Sequence, residues 1–344
     1  MRIPSEIRWK STGRTLGEGG QATVVEVEDS RGELTGKYAL KGLASGKPAK
    51  AYERFAREVE AIKAVSHPNI IRIVDHADPG AQFHFYVMEL LEGATALKKV
   101  IGTDKNHYHG NALAGLSLFI DLLQAIEACE QKGIVHRDMS PANVLVLPNN
   151  SIKIIDFGIC QADEHETITL TDEGVGTPTY MAPECESGAG RPISSQADLY
   201  SAGKIVWSAV TNLHAFAREA PAFNHKSMYA IFPDNPALWH LHHIFEKTVR
   251  NNAKDRWRSA GEALKEAYHV RYLVASHYPP IELISERCPL CGVGKLGPFD
   301  LSHMVFGNPN PKGITALQCS YCGFCFAKNV ALTKELLKQR SQLQ

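Results

Sequence analysis

A short loop between two apolar runs carries the side chains with the clearest potential for chemistry. The stretch from Gly133 to Val146 reads GIVHRDMSPANVLV, and it places Asp138 directly after an arginine and five positions before Asn143. Ser140 stands between them, a small hydroxyl at a position where a cation would be useful. Carboxylate and amide oxygens are ligands that hard cations prefer, and a carboxylate can also take a proton. This loop is therefore the first candidate for a reactive site.

A second chemical group lies near the C-terminus, where five of the eight cysteines fall between positions 288 and 325. Cys288 and Cys291 form one CxxCG motif, and Cys319 and Cys322 form another. Four thiolates satisfy tetrahedral Zn²⁺, so the doubled motif predicts a structural zinc ribbon, with a redox dithiol as the alternative. Cys325 is interpreted as a bystander that could replace Cys322. The region is too short for a sizeable core, so metal binding is expected to fold it.

Length and composition describe an ordinary globular chain. At 344 residues there is room for two or three compact units, with 44% apolar residues, 22% charged residues and a formal net charge of zero. This balance implies no global attraction to nucleic acid or to a membrane surface. The chain contains no run of about 18 apolar residues, and its start, MRIPSEIRWK, lacks the apolar core of a signal peptide. These features predict a cytoplasmic protein without a membrane span.

The elements that must position the loop begin with a strand-rich segment. From Ser11 to Leu43 apolar residues alternate as in strands, interrupted by the glycine-rich LGEGGQATVVEVED. Gly17 and Gly19 would let backbone amides approach a phosphate closely, because no Cβ stands in the way. Ala22 occupies the third glycine position of a GxGxxG pattern, so a plain hairpin turn is the alternative interpretation.

Helical and strand periods then follow one another along the chain. An apolar stripe predicts a helix from about Ala49 to Val65, which carries Glu58. The run FHFYVMELLEG is strongly strand-prone until Gly93, and one apolar face between Leu116 and Lys132 predicts a second helix. Strands, one helix and more strands indicate a small sheet-rich lobe rather than a Rossmann unit, and the chain beyond it is helical.

Several motifs occur together and in order along this pattern. HRD lies at 136–138, followed by Asn143, DFG lies at 156–158, and APE lies at 182–184. This set resembles the eukaryotic-like (Hanks-type) Ser/Thr protein kinases over about residues 10 to 270, roughly three-quarters of the chain. The resemblance implies an α+β, bilobal protein-kinase fold with a small β-rich N-lobe (1–92) and a larger helical C-lobe (93–278). A small zinc ribbon with a C-terminal helix (281–344) is expected to follow.

The resemblance also implies roles for the polar residues in transfer of the γ-phosphoryl group of ATP to Ser or Thr of protein substrates. Asp138 would accept or orient the proton of the substrate hydroxyl, and Asn143 and Asp156 would hold two Mg²⁺ ions. Lys41 would hold the α and β phosphates. Glu58 would be its helix partner, preferred over Glu60 because it stands nine residues before the His of HPN.

The nucleotide pocket follows from the same resemblance. Gly17 and Gly19 would cover the phosphates, and Met88 would guard the back of the adenine pocket. Glu89 and Leu91 would offer the backbone carbonyl and amide that read the adenine edge. The positions expected to cover the adenine from above and below are Val24, Ala39 and Leu145.

Ser140 departs from the family pattern, in which a lysine that contacts the γ-phosphate commonly stands two residues after the catalytic aspartate. Serine cannot supply that charge. Three interpretations compete: a tolerated variation, a slower or differently tuned kinase, and a pseudokinase. Lys41, Asp138, Asn143 and Asp156 are all present, so the departure puts the turnover rate in doubt rather than the reaction class.

Residues downstream of the DFG motif fit the resemblance as well. Thr177 resembles the threonine that bonds to the catalytic aspartate, and Glu184 is expected to pair with Arg256. Asp198, in an apolar helix, is expected to brace the backbone of the catalytic loop, since a buried aspartate without partners would be costly. Arg137 would bind a phosphorylated activation-loop residue. Autophosphorylation is expected at one or more of Thr167, Thr169 and Thr171, with a plain solvated loop as the alternative interpretation of this segment.

The function of the zinc ribbon is open at the level of sequence. From Ile281 to Gln344 seven Lys and Arg oppose four Asp and Glu, and several aromatic residues could stack on bases. Docking of a protein partner, or packing on the kinase, is favoured over nucleic-acid binding, and the terminal helix is expected to cap the ribbon rather than anchor a membrane. The alternative function is a pseudokinase scaffold that recruits partners or nucleic acid through the ribbon. HLHH at His240 to His243 is interpreted as surface histidines of a helix rather than a metal site.

Overall fold

The computed structural model describes residues 3–19, 22–44, 46–78, 80–157, 179–186, 193–216 and 226–276, together with three short strands farther along the chain. The N-terminal part is a five-stranded antiparallel sheet with the order β1-β2-β3-β5-β4. One helix, α1, connects β3 to β4 along the chain. These elements span β1 Trp9–Glu18, β2 Ala22–Asp29, β3 Lys37–Leu43, α1 Ala49–Ala64, β4 Ile73–His76 and β5 Phe85–Glu89.

The two faces of this sheet pack against different cores, because side chains alternate along each strand. Val27, Leu40 and Val87 pack with Trp9 in a small core on the outer face. Ala39, Tyr86 and Met88 belong to the main core on the other face, together with Phe55, Val59 and Ile62 of α1. The apolar stripe of α1 therefore fixes the helix against the inner face, on which Lys41 also lies by the same alternation.

The C-terminal part is helical. Its long helices are α3 Ala112–Glu130, α5 Gln196–Thr211, α7 Pro236–Thr248 and α8 Ala260–Ala275, and its short ones are α2 Leu97–Val100, α4 Pro183–Glu186 and α6 Met228–Ile231. Side-chain oxygens of Asn111 and Ser259 accept backbone amide protons at the N-termini of α3 and α8. Gly115 lets α3 approach α5 closely, since a Cβ there would stand 2.4 Å from Cγ2 of Val210.

A small three-stranded sheet positions the loop that carries Asp138. It consists of β6 Thr95–Ala96, β7 Val144–Val146 and β8 Ile152–Ile154, all antiparallel. The amide of Ile71 donates to the carbonyl oxygen of Ile154 at 3.0 Å, which ties the N-terminal part to this sheet. The chain therefore forms the expected bilobal α+β fold, with a β-sheet N-lobe and a helical C-lobe. Asn143 directly precedes β7 and Asp156 follows β8, so both lie at ends of the small sheet.

One sequence-based expectation, that the histidines at 240–243 lie on a helix surface, needs correction. His240 and His242 are buried, with 6% and 2% of their surface exposed, because the inner face of α7 packs on the C-lobe; only His243 is a surface residue.

Helix α3 is long and apolar enough to cross a membrane by length and composition. Most of that stretch lies inside the C-lobe, however, as expected of a central helix that is surrounded by others.

Three strands are described in the C-terminal region: β9 Leu296–Phe299, β10 Ala316–Cys319 and β11 Cys325–Ala327. They form an antiparallel sheet with β10 in the centre. The rest of the predicted zinc ribbon, including Cys288, Cys291 and Cys322, lies outside the described residues, as does the predicted C-terminal helix.

Candidate active site

Lys41 is the centre of an ion-pair cluster between the sheet and α1. Its Nζ lies 2.8 Å from Oε1 of Glu58 and 2.8 Å from Oδ1 of Asp156. Burial lowers the pKa of Lys41, but the charges of Asp156 and Glu58 outweigh it and raise the pKa above its usual value. Glu60 instead lies on the exposed side of α1, 3.3 Å from Lys63. The structure thus brings Lys41 together with Glu58, the residue preferred from the sequence.

A tyrosine that the sequence analysis did not single out completes this cluster. Tyr86 is fully buried on β5, and β3–β5 pairing places it directly opposite Lys41. Its hydroxyl donates to Oε1 of Glu58 at 3.0 Å and lies 3.5 Å from Oδ1 of Asp156. A tyrosine in an apolar strand resembles an ordinary core residue. The only available signal was the two-residue period that sets it on the same face as Met88.

Asp138 lies in the loop between α3 and β7, where Asn143 holds it. The amide nitrogen Nδ2 of Asn143 donates to the backbone oxygen of Asp138 at 2.9 Å and to its carboxylate Oδ2 at 3.0 Å. Burial raises the pKa of Asp138 to about 6, and the hydrogen bond from Asn143 acts in the opposite direction. The carboxylate is therefore ionised at neutral pH but close enough to its pKa to exchange a proton.

The backbone of this loop is held by Asp198 of α5, as predicted. The carboxylate of Asp198 accepts from the amide of His136 at 2.7 Å and from the amide of Arg137 at 2.9 Å. Arg137 has a φ of 67°, a conformation that L residues adopt at a cost. Burial raises the pKa of Asp198 to about 6, against the two amide donors. The brace therefore stabilises a strained turn directly before Asp138.

Asn143 and Asp156 come together because the amide of Ile155 donates to the carbonyl oxygen of Asn143 at 2.9 Å. Both Asp138 contacts use the amide nitrogen of Asn143, so its side-chain oxygen is the atom left for a cation. The carboxylate of Asp156 is 39% exposed. One amide oxygen and one carboxylate form a donor set that suits Mg²⁺ bound together with phosphates and water. The residues present therefore fit the predicted metal.

Four of the predicted adenine-pocket residues, Val24, Ala39, Met88 and Glu89, lie on strands of the five-stranded sheet, whereas Leu91 follows β5 and Leu145 lies on β7 of the small sheet. Ala39 and Met88 are direct partners in the β3–β5 ladder, and Val24 pairs with Lys41 in the β2–β3 ladder. The amide of Glu89 donates to the carbonyl oxygen of Arg72 at 3.1 Å, so this amide is used inside the fold. The prediction that Glu89 offers its carbonyl to a nucleotide is compatible with this contact.

Gly17 and Gly19 lie where β1 turns into β2. Gly17 pairs with Val24 across the ladder, and the amide of Gly19 donates to the carbonyl oxygen of Ala22 at 3.0 Å. A Cβ at Gly17 would meet no atom within 4 Å, and one at Gly19 would make only ordinary contact with Ala22 at 3.6 Å. Packing against the described residues therefore does not require glycine at either position, and the predicted close approach of a phosphate would be a separate reason for it.

The predicted ion pair between Glu184 and Arg256 is present in the C-lobe. The guanidinium of Arg256 forms a bidentate pair with Glu184, with Nη2 and Oε2 at 2.9 Å, as expected from the sequence.

Ser140 is 6% exposed, and its carbonyl oxygen accepts from the amide of Asn143 at 3.0 Å. Gly158, Thr177 and the three threonines at 167, 169 and 171 lie outside the described residues.

Within the described part of the chain, no group of three or more His, Cys, Asp or Glu is placed to hold a metal ion. Of the four predicted zinc ligands, only Cys319 falls in a described strand, where it ends β10. The zinc site therefore stays a prediction.

The fold and the site together define a bilobal phosphotransferase, with a lysine set between two carboxylates above a loop that carries a third. The family model described as the protein kinase domain matches residues 11–266. That match covers well over half of the chain, and the chain therefore belongs to the protein kinase domain family.

Individual relatives agree with this assignment. The serine/threonine-protein kinase PknB of Mycolicibacterium smegmatis is 28% identical over 288 residues, which are 80% of this chain and 45% of that protein. A probable serine/threonine-protein kinase of Streptomyces coelicolor is 32% identical over 216 residues, 61% of this chain and 31% of that protein. The chain thus spans less than half the length of these curated relatives.

A solved structure supports the fold on its own. The crystal structure of the Mycobacterium tuberculosis PknI kinase domain matches 78% of this chain and 100% of that chain, with a TM-score of 0.59 at 22% sequence identity.

Proposed function

We propose that this chain transfers the γ-phosphoryl group of ATP to serine or threonine side chains of proteins and depends on Mg²⁺. The observation that carries the proposal is the placement of Lys41 between Glu58 and Asp156, beside a loop in which Asn143 holds Asp138. Phosphoryl transfer requires positioning and charge neutralisation more than covalent help from the protein. This arrangement supplies both from residues far apart in the sequence.

Each side chain has a role in this reaction. Lys41, on β3, binds the α and β phosphates. Glu58, on α1, holds the lysine in place. Asp138 orients the substrate hydroxyl and takes its proton, which a carboxylate with a pKa of about 6 can do at neutral pH. Asn143 and Asp156 would hold Mg²⁺, which would neutralise charge on the phosphates when bound. Gly17 and Gly19 would cover the phosphates, while Val24, Ala39, Met88, Glu89, Leu91 and Leu145 would form the adenine pocket.

The test is a phosphorylation assay with purified protein, ATP, Mg²⁺ and a generic serine- and threonine-containing protein substrate. Asp138→Asn should abolish incorporation, because the amide cannot take the proton. Asp78→Asn is the matched control, since it makes the same chemical change at an exposed position between β4 and β5. Equal incorporation in wild type and Asp138→Asn would exclude the enzymatic proposal and favour the pseudokinase scaffold.

We also propose the division of the chain into an N-lobe at 1–92, a C-lobe at 93–278 and a zinc ribbon with a C-terminal helix at 281–344. The first boundary is supported by the end of β5 at Glu89 and the start of β6 at Thr95. The ribbon is supported by the doubled CxxCG motif and by the antiparallel pairing of β11 with β10, the strand that ends at Cys319. Cys288, Cys291, Cys319 and Cys322 would bind one structural Zn²⁺.

Regulation, partners and location are part of the same proposal. One or more of Thr167, Thr169 and Thr171 would be autophosphorylated and would bind Arg137, which the Asp198 brace holds beside Asp138. The ribbon would dock a protein partner, with nucleic acid as the less favoured ligand. A cytoplasmic location would supply both the ATP and the reducing conditions that keep the cysteine thiols available for metal.

A further inference from the structure

Tyr86 combines full burial with a polar contact that packing does not require. Its ring stacks near Phe55, with ring centroids 5.4 Å apart, and a phenylalanine would fill the same space. The hydroxyl, however, lies among charged groups: Lys41 Nζ is 5.6 Å from the ring centroid, and two carboxylates lie within 3.5 Å of the oxygen. The contact with Glu58 at 3.0 Å is the stronger one, because 3.5 Å is long for a hydrogen bond between oxygens.

The charges of the cluster explain what this hydroxyl does. One ammonium group lies between two carboxylates, so the cluster carries an excess negative charge in a largely buried site. Oε1 of Glu58 accepts from Lys41 and from Tyr86 at the same time. If a bound nucleotide drew Lys41 towards its phosphates, the tyrosine hydroxyl could still donate to Glu58, because a phosphate attracts a neutral hydroxyl less strongly than an ammonium group.

We propose that Tyr86 is a positioning residue for phosphoryl transfer: its hydroxyl fixes the carboxylate of Glu58, and through it the ammonium group of Lys41. This inference rests on the proposed kinase activity and adds a residue to its machinery. Because Tyr86 is the register partner of Lys41 on β5, the sheet holds the two side chains next to each other, and Oε1 of Glu58 accepts from both. The hydroxyl acts through Glu58 and touches no reacting atom.

The test is Tyr86→Phe, which removes one oxygen and keeps the ring. We expect kcat/KM to fall about tenfold, equivalent to about 1.4 kcal/mol of barrier, chiefly in kcat. Tyr38→Phe is the matched control, since Tyr38 lies on β3 of the same sheet and its hydroxyl donates to the carbonyl oxygen of Thr35 at 3.2 Å, on the outer face. That control should stay within about twofold of wild type, because it leaves Glu58 untouched.

A double-mutant cycle separates positioning from a general loss of structure. In a Glu58→Leu background, Tyr86→Phe should change kcat/KM by less than about twofold, since the group through which it acts is already absent. The same four proteins, compared by urea unfolding, should show that the two substitutions couple by about tenfold in the unfolding equilibrium constant. This second measurement does not depend on enzymatic activity.

The outcomes distinguish the inference from the proposed function. An active wild type with unchanged Tyr86→Phe, or a tenfold loss that persists in the Glu58→Leu background, would overturn the inference and leave the kinase activity standing. Equal phosphorylation by wild type and Asp138→Asn would refute the proposed function, and the positioning role would fall with it. An additive unfolding cycle would show that the hydroxyl does not hold Glu58 in solution.

Discussion

Lys204 is a buried lysine that forms no ion pair with a carboxylate among the described residues, and its replacement by methionine tests how the C-lobe holds a charge. It lies on α5 with 1% of its surface exposed. Its Nζ donates to the carbonyl oxygens of Thr179 and Phe216, the latter at 2.9 Å. It also lies over the rings of Tyr200 and Phe216, 4.9 and 5.2 Å from their centroids. These contacts connect α5 to the segment that carries the APE motif.

Burial lowers the pKa of Lys204 from 10.5 to about 8, and the nearby charge of Lys226 adds to this effect. A shift of roughly 2.5 units corresponds to about 3 kcal/mol at about 1.36 kcal/mol per unit. Since the carbonyl oxygens and the aromatic rings favour the ammonium form, about 3 kcal/mol is an upper limit. Between pH 8 and 10.5 the unfolded chain holds this proton more tightly than the folded protein does. The free energy of unfolding should therefore rise with pH in that window.

The assay is urea unfolding of wild type and Lys204→Met at intervals from pH 7 to pH 10.5. Many groups titrate in this range, so the measured quantity is the difference in unfolding free energy between the two proteins. The free energy of unfolding of wild type should rise by about 2–3 kcal/mol relative to that of Lys204→Met between pH 7 and pH 10.5, because methionine carries no proton to lose. Lys10→Met is the matched control, since Lys10 is exposed on β1. A difference that stays flat from pH 7 to pH 10.5 would refute the reasoning.

Three further predictions concern packing, catalysis and metal. Gly115→Ala should destabilise the protein by about 1–3 kcal/mol in urea unfolding, because its Cβ would clash with Val210; stabilisation, the usual effect of alanine in a helix, would contradict the close packing of α3 on α5. Ser140→Lys should leave ATP binding intact and raise, or barely alter, turnover in a steady-state assay; a loss of about a hundredfold would give the serine a dedicated role. Chelation should release one Zn²⁺ per chain, measured by mass spectrometry, and unfold residues after about 285 while the lobes keep binding ATP; an ordered C-terminus with full thiol content and no metal would refute the zinc assignment.

The helices and strands could largely be predicted because their periods are local. The predicted helix from Ala49 to Val65 is α1 at Ala49–Ala64, and FHFYVMELLEG contains β5. The site required more, since Lys41 and Asp156 are 115 positions apart and no local pattern connects them. Motif order supplied that connection, and the ion pairs of Lys41 with Glu58 and Asp156 agree with it.

What the sequence did not reveal depends on tertiary neighbours. His240 and His242 were expected at a helix surface, but α7 packs on other C-lobe helices with those side chains inward. Tyr86 looked like a core aromatic, and only the approach of α1 to β5 brings Glu58 to its hydroxyl. When a polar atom contacts a partner that is distant in the sequence, the residue pattern of its own strand or helix does not indicate that contact.

A comparison of Lys41 with Lys204 also shows that the charge state of a buried lysine depends on tertiary neighbours that the local sequence does not reveal. Both lie in apolar stretches, KYALKGL and SAGKIVW, and burial lowers the pKa of each. Lys41 faces two carboxylates at 2.8 Å, so its pKa nevertheless rises and it stays a cation over the whole physiological range, as the proposed contact with a phosphate requires. Lys204 has backbone carbonyls and ring faces instead, which stabilise a charge less, and its pKa falls to about 8. The partner, rather than burial, therefore decides whether a lysine inside this fold keeps its charge over the physiological range or can lose its proton.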